Sequence, residues 1–173
     1  MRAILAATIL ALITGCASFR DTSVPMETVS RLDAARYSGT WYEIERFPVR
    51  FQRGCTATTA TYDVTGSDTL SVLNRCRQDS PDGPLRQIEG EARVTGPGQL
   101  RVRLGGVPFA APYWVLWVAP DYSAAVVGVP QGSAGWILAR QPRMPPAQLA
   151  EARAVLARNG YDVAQLISVP HGR

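Results

Sequence analysis

The chain has few side chains that could carry out catalysis. It contains no lysine, and its single histidine, His171, lies close to the C-terminus. Serine–histidine triads, histidine-based zinc clusters, Schiff-base lysines and phosphate-binding loops with a lysine therefore each lack a required member. The remaining acids include Glu43 with Glu45, whose i, i+2 spacing on one strand is more typical of solvated or ion-paired groups than of a glycosidase pair. We expect a binding protein, not an enzyme, with no cofactor and no metal site.

The first cysteine ends a targeting segment. Arg2 precedes an apolar run over residues 3–13, which is too short for the roughly 20 residues of a membrane-spanning helix. Residues 12–16 read Leu-Ile-Thr-Gly-Cys and resemble the bacterial lipobox, in which the cysteine is acylated and becomes the mature N-terminus. The sequence predicts a signal peptide over residues 1–15 and lipid attachment at Cys16, and the alternative is an ordinary signal peptide with an incidental cysteine.

The residues after Cys16 indicate in which membrane the protein is anchored. They lack the aspartate that usually retains bacterial lipoproteins at the inner membrane, so we expect the periplasmic face of the outer membrane, reached through the lipid anchor. Residues 16–30 are rich in Ser, Thr and Pro without periodicity, which predicts a mobile tether. The remaining residues, 31–173, have the length of one folded domain.

The other two cysteines form an even pair in an oxidising compartment, which favours a disulfide between Cys55 and Cys76. If Thr65 and Gly66 make a two-residue turn, Cys55 falls opposite Cys76 in an antiparallel hairpin. Two free buried thiols remain the alternative.

The charge pattern argues against nucleic acid as a partner. All 18 basic residues are arginines, and they are spread along the chain, giving a formal net charge of +4. A nucleic-acid-binding domain would carry a basic stripe or a known motif, and neither is present. Weak attraction to anionic lipid head groups remains open.

From residue 40 onward the chain alternates short β-type segments with turns. The predicted strands cover residues 40–47, 55–63, 69–76, 85–94, 99–104, 113–119, 124–129 and 135–140. Evenly spaced strands without intervening helices predict an all-β, eight-stranded antiparallel up-and-down barrel. Apolar residues at helical spacing over residues 146–159 predict one C-terminal α-helix packed on the outer wall, and a helix lying on the membrane is the alternative.

Three segments of the chain resemble the lipocalin family, most closely its bacterial outer-membrane and apolipoprotein D branches. They are residues 36–44 (RYSGTWYEI), residues 113–122 (YWVLWVAPDY) and residues 135–140 (GWILAR). The resemblance covers about residues 32–168. It implies a barrel closed at one end by Trp41, with Arg140 lying across the indole ring, and it assigns structural roles to Gly39, Asp121 and Tyr122. Pro120 departs from the family pattern, which puts that turn in doubt.

Strand alternation, anchored on the family resemblance, predicts which side chains line the cavity. Pairing Thr61 with Leu70 and Thr59 with Val72 fixes the inner face of the first hairpin, and Trp117 is also expected to face inward. The predicted ligand-binding residues are Ala57, Thr59, Thr61, Leu70, Val72, Val102, Leu104, Tyr113, Val115, Trp136 and Leu138. Several are small, which predicts a mostly apolar pocket rather than a filled barrel, although a filled barrel remains an alternative.

Glu43 and Glu45 do not fit this pattern. Alternation from Trp41 would bury both carboxylates, which is costly without partners. Either the strand is bulged, or these groups pair with an arginine near the rim or contact a ligand head group, and the sequence leaves all three open.

The resemblance implies a carrier of small apolar ligands, and we expect fatty acids or lysophospholipids, handled in maintenance of the cell envelope. Two alternatives remain. One is a lipocalin for a tetrapyrrole or sterol-like ligand, and the other is a structural envelope lipoprotein with no ligand. An exposed apolar strand face would also allow a homodimer.

Overall fold

A computed structural model describes residues 18–172, so the predicted signal peptide and Cys16 lie outside the described residues. The helices are α1 (Ala34–Tyr37) and α2 (Pro146–Arg158), with 3₁₀ turns at Arg50–Gln52 and Val163–Gln165. The strands are β1 (Gly39–Arg46), β2 (Cys55–Val64), β3 (Thr69–Gln78), β4 (Leu85–Gly96), β5 (Gln99–Leu104), β6 (Ala111–Val118), β7 (Ala124–Gly128), β8 (Gly135–Ala139) and β9 (Ile167–Ser168).

The first eight strands form a closed antiparallel barrel. Each strand pairs with the next in sequence, and β1 pairs with both β2 and β8. Alternation of apolar and polar residues within short, turn-bounded segments produces this arrangement, because one face of each strand is buried and the other is covered or solvated. The predicted eight-stranded up-and-down barrel is confirmed, and each strand lies where the sequence placed it, with ends that differ by a few residues.

The register of the first hairpin was predicted incorrectly. The connection is longer than a two-residue turn: Val64 pairs with Leu70, and the N–H of Thr65 donates to the Thr69 carbonyl at 2.9 Å. Thr61 consequently pairs with Leu73, and Val72 with Tyr62.

The inner face of β2 is also corrected. Its inward residues are Thr58, Ala60 and Tyr62, because a bulge between Thr56 and Thr59 shifts the alternation at Ala57, whose φ is +46°. Thr59 and Thr61 lie on the outer face, where the hydroxyl of Thr61 meets that of Thr40 at 3.0 Å. Ala57 lies in the bulge itself.

The C-terminal segment fills a seam between β1 and β2. These strands pair only over Gly39–Tyr42, and above that point β9 pairs with Glu45 and Arg46 of β1. The Ala57 N–H donates to the Pro170 carbonyl at 2.8 Å, and a ring nitrogen of His171 lies 2.7 Å from the Glu43 carbonyl. The histidine of the chain is therefore part of the barrel wall.

Two apolar cores lie on the two sides of the sheet. The inner core fills the lower barrel, and the outer core lies between the sheet and α2, where Ala152, Val155 and Leu156 are buried. Pro146 begins this helix and Gly160, with φ +84°, follows its end. The prediction that the helix packs its apolar stripe on the outer wall is confirmed.

The segment predicted as a tether lies on the barrel from its first described residues. Phe19 is buried, with its ring centre 4.9 Å from that of Phe47. Arg20 is buried as well and donates to carbonyls of Val24, Pro130 and Asn159. The segment then runs down the wall to the other end, where the Val29 N–H donates to the Val115 carbonyl at 3.0 Å. The composition is that of a spacer, but Phe19, Arg20 and Val29 have partners far along the chain and hold it in place.

Candidate ligand-binding site

One end of the barrel is closed by an aromatic plug. The Trp41 ring is fully buried, and its N–H donates to the Tyr37 carbonyl at 2.7 Å. The guanidinium carbon of Arg140 lies 3.8 Å from the centre of the indole, as predicted. Gly39, with φ +92°, passes so close that a Cβ there would lie 3.3 Å from the guanidinium. Trp41 and Arg140 together therefore cover this end of the barrel interior.

The segment around Asp121 braces the same end. The Asp121 carboxylate accepts from the Ser123 N–H at 3.0 Å and from its hydroxyl at 2.6 Å. The Tyr122 hydroxyl accepts from the Asp33 N–H at 3.1 Å, and the Arg36 guanidinium lies 4.1 Å above the Tyr122 ring. Pro120 fits this turn, because its carbonyl accepts from Arg36.

The lower interior is filled by side chains. Leu70, Val72, Val115 and Leu138 face inward as predicted, and nearly all of their surface is in contact with neighbouring atoms. These four residues form a floor rather than the walls of an open space.

Three tyrosine hydroxyls meet above this floor. Those of Tyr37 and Tyr62 lie 2.9 and 3.0 Å from the hydroxyl of Tyr113. Burial raises the pKa of Tyr62 to about 12 and raises the pKa values of Tyr37 and Tyr113 as well. The cluster therefore presents neutral hydroxyls, which can donate and accept, within an otherwise apolar barrel.

The upper interior is lined by side chains that are less fully buried than those of the floor. We call it the upper chamber, and its half-buried inward side chains are Ala60, Val102, Leu104, Tyr113 and Trp136, with Gly90 between them. Trp136 pairs with Arg46 at the top of β1, and its ring stacks on that of Tyr113 with 6.3 Å between centres. Four of the predicted ligand-binding residues, Val102, Leu104, Tyr113 and Trp136, thus come together here.

Trp117 lies outside the chamber, contrary to the prediction. A register shift between Val115 and Trp117 pairs Trp117 with Val126, and both belong to the outer core. The bulge inserts one residue, which reverses the face of every later side chain on the strand.

A buried polar cluster lies at the top of the chamber. The side-chain N–H group of Gln52 donates to both carboxylate oxygens of Glu43, at 2.6 and 2.9 Å. The side-chain carbonyl of Gln52 accepts from the Trp136 ring N–H at 3.1 Å. Arg46 donates to the backbone carbonyls of Gln52 and Cys55, at 3.2 and 2.9 Å. The loop over residues 47–54 is thereby held against β1 and β8 at the open end.

A bulge between Glu43 and Glu45 separates the two carboxylates. Glu43 faces the chamber, and Glu45 faces outward under α2, where Arg153 donates to both of its oxygens. Of the three explanations left open by the sequence, the bulge and the pairing with arginine both hold. The arginine of Glu45 lies on the helix rather than on the rim.

The polar groups of this cluster do not fully compensate the burial of the Glu43 carboxylate. Burial raises the pKa of Glu43, and the Gln52 hydrogen bonds and the Arg46 charge offset only part of that cost. Arg46 Nη1 lies 3.5 Å from the Glu43 carboxylate without a hydrogen bond, and the buried Thr58 hydroxyl faces the same group, also without one of good geometry. Two buried donors thus remain available to a polar group that enters the chamber.

Sequence reasoning did not find Arg46, Gln52 and Thr58. The i, i+3 spacing of Glu43 and Arg46 was a signal, but placing both in the chamber requires the bulge between them. The disulfide between Cys55 and Cys76 is confirmed, and it joins β2 to β3 beside the cluster. Residues 18–172 contain no group of three or more His, Cys, Asp or Glu side chains arranged to hold a metal. None of their helices is long and apolar enough to cross a membrane.

The sequence comparisons agree on one family. The model of the lipocalin-like domain matches residues 32–171. The chain is 38% identical over 168 residues to the outer membrane lipoprotein Blc of Escherichia coli (strain K12), covering 95% of this chain and 93% of that one. It is 33% identical over 145 residues to apolipoprotein D of Rattus norvegicus, covering 78% of this chain and 74% of that one.

Solved structures show the same fold. Lobster apocrustacyanin A1 superposes with a TM-score of 0.67 at 19% sequence identity, covering 87% of this chain and 91% of that one. At that level of identity the likeness concerns the barrel and not its contents.

Proposed function

Since the chain belongs to the lipocalin family, we propose that it binds fatty acids or lysophospholipids in the upper chamber and carries them within the cell envelope. The observation that carries this proposal is the combination of half-buried apolar walls with a buried polar cluster at one end. A single-chain lipid has the same division between an apolar tail and a polar head.

The tail would contact the chamber walls. Val102, Leu104, Tyr113 and Trp136 are half-buried, while Leu70, Val72, Val115 and Leu138 are buried and form the floor. Removing a 16-carbon chain from water contributes on the order of 10 kcal/mol before the costs of association. Micromolar or tighter binding therefore needs few polar contacts.

The head group would meet the cluster. Arg46 Nη1 and the Thr58 hydroxyl are buried donors that make no hydrogen bond, although Arg46 Nη1 faces the Glu43 carboxylate at 3.5 Å, and a carboxylate or phosphate accepts from such groups. Glu43 opposes an anion, but its raised pKa makes its neutral form more accessible than that of an ordinary glutamate. The two buried donors that make no hydrogen bond favour an anionic or zwitterionic head.

Location follows from the N-terminus. We propose acylation of Cys16 and anchoring at the periplasmic face of the outer membrane. Support comes from the leader, from the residues after Cys16, and from a relative that is itself named an outer membrane lipoprotein.

The chain is proposed to act without chemistry. The chamber has no histidine or lysine side chain, and Cys55 and Cys76 are joined to each other, so neither offers a thiol. A reaction at a cysteine thiol in the barrel would need one of these two residues to be free.

The test is native mass spectrometry with lipid extraction on the chain from Ala17 onward, followed by titration with lysophospholipid while tryptophan fluorescence is recorded. One acyl lipid per barrel, either co-purified or saturable, is the expected result. A visible absorption band would point to a tetrapyrrole instead, and an unoccupied barrel with no saturable response would favour a structural lipoprotein.

A further inference from the structure

The exposed apolar side chains are concentrated at the open end. Four loops form this rim: residues 47–54, 79–84, 105–110 and 129–134. Six large apolar side chains are more than a third exposed in the described part of the chain: Phe51, Val64, Leu85, Ile88, Phe109 and Ile167. All except Val64 lie on the rim loops or on strand segments next to them, so the distribution is strongly one-sided.

Three rim elements supply the most exposed of these groups. Phe51, Leu85 and Phe109 are 63%, 50% and 68% exposed. Residues 105–110, which include Phe109, contain no charged side chain. Soluble surfaces seldom present several large apolar groups together unless something covers them.

Positive charge accompanies the apolar groups. Arg50 and Arg53 flank Phe51, and Arg86 follows Leu85, all with exposed side chains. Asp79 and Asp82 are the acids of the rim loops and balance Arg50 and Arg53, so the one net positive charge of these five positions comes from Arg86 at the start of β4. Aromatic and aliphatic tips beside arginines match the interface of an anionic bilayer.

The described chain begins at the same rim. The Phe19 N–H donates to the Gly132 carbonyl at 2.8 Å, and the Ser18 hydroxyl donates to the Gln131 carbonyl at 3.1 Å. Arg20 secures this position through the Pro130 carbonyl at 3.0 Å. Cys16 precedes Ser18 by two residues and so lies within about 7 Å of it in any conformation.

We propose that the barrel docks on the anionic leaflet that holds its anchor with its open end toward the lipid, so that the chamber opens into the bilayer interface. This inference rests on the proposed acylation of Cys16. A short connection and an apolar rim at the same end of the barrel both favour this orientation. A lipid would then pass between bilayer and chamber without its acyl chain crossing bulk water.

The test uses the full lipidated protein in vesicles of phosphatidylethanolamine and phosphatidylglycerol. F109C and V64C variants are each labelled with an environment-sensitive fluorophore. Cys55 and Cys76 are joined, and the lipid proposed for Cys16 would occupy its thiol, so none of the three competes for the label. Because groups at an interface lie about 5–10 Å into the head-group region, quenching by spin-labelled lipid should be at least about threefold stronger at position 109 than at position 64.

Equal quenching at the two positions, or stronger quenching at position 64, would overturn the inference. So would an intact mass without acyl chains on Cys16, or protection of position 109 that depends on protein concentration rather than on lipid, which would indicate a second copy as the occupant. Lysophospholipid uptake is measured on the same labelled samples. Normal uptake without a depth difference rejects the docking alone, whereas a depth difference without uptake supports the docking and rejects the carrier function.

A second pair of variants tests the consequence for transfer. F51S/F109S should slow lipid extraction from these vesicles by about tenfold, because the apolar contact that brings the mouth to the interface is lost. V64S is the matched control at the other end. Equal rates in the two variants would contradict the proposal.

Discussion

The indole N–H of Trp136 donates a hydrogen bond to the side-chain carbonyl of Gln52, with 3.1 Å between nitrogen and oxygen. The same glutamine donates to Glu43, so one residue of the 47–54 loop is bound to both β8 and β1, which are neighbouring strands of the wall. We expect a ligand that enters at this end to displace the loop.

Replacing Gln52 with alanine should accelerate both entry and release of lysophospholipid. Hydrogen bonds to a charged group contribute about 1.5–3 kcal/mol, so the rates should rise by at least about tenfold. Stopped-flow tryptophan fluorescence measures both rates. Gln131→Ala, on a different rim loop, is the control, and equal rates in the two variants would show that the loop does not limit access.

Trp136→Ala should weaken lysophospholipid binding while leaving the fold intact. The lost apolar contact corresponds to about 2 kcal/mol, or roughly 30-fold in Kd. Isothermal titration measures the affinity, and thermal melting checks folding. Trp117→Ala removes the same side chain from the outer face and should leave the affinity unchanged. If both variants bind as the parent protein does, Trp136 is not part of the site.

Glu43 should give the stability of the protein a distinctive pH dependence. Its folded-state pKa is raised above 4.5 by burial, so the folded state holds the proton more tightly than the unfolded chain does. The contribution of this group is therefore most favourable at low pH, and it declines as pH rises from about 4.5 through the folded-state pKa.

Urea unfolding of the parent protein and Glu43→Gln across this pH range tests that expectation. The free energy of unfolding of the parent, relative to the variant, should fall as pH rises and then level off. The exposed Glu151→Gln serves as control. Parallel profiles for the parent and Glu43→Gln would contradict the assignment.

Arg140→Lys should destabilise the closed end. The guanidinium covers the Trp41 ring and also donates to the carbonyls of Thr40, Arg36 and Ser38 at 3.0, 2.7 and 2.7 Å. A lysine cannot keep this planar set of contacts, so the free energy of unfolding should fall by about 1–3 kcal/mol. Arg143→Lys should change it by less than about 0.5 kcal/mol, and similar losses in both would refute a special role for Arg140.

Replacing Cys55 and Cys76 together with serine should lower the free energy of unfolding by about 3 kcal/mol, because the loop of this length is no longer closed in the unfolded chain. Guanidinium unfolding measures the loss. The parent protein treated with a reductant should lose a similar amount. A difference below about 1 kcal/mol in both would show that the cross-link adds little to stability.

Local pattern was enough to find the strands, the helix and the aromatic plug. Turn residues mark the ends of each strand, and the lipocalin motifs identify Trp41 and Arg140. The disulfide was also predicted correctly, although the argument assumed a turn at Thr65 and Gly66 that does not form.

The cavity-facing residues were harder, because three bulges reverse the alternation on which the prediction depended. They lie near Ala57, between Glu43 and Glu45, and between Val115 and Trp117. Each is defined by pairing with another strand rather than by its own neighbours in sequence. The position of the N-terminal segment on the barrel could not be read from its own sequence for a similar reason, because Arg20 donates to the carbonyls of Pro130 and Asn159, which lie far along the chain.

The seam between β1 and β2 has a consequence for when the molecule can mature. Residues 167–171 complete the wall beside Glu43, Glu45 and Ala57, and they are synthesised after all eight barrel strands. A nascent chain whose strands have already emerged still lacks this part of its wall. The barrel thus becomes complete only after residues 167–171 have been synthesised and have docked, so a chain that stops before them keeps an open seam between β1 and β2.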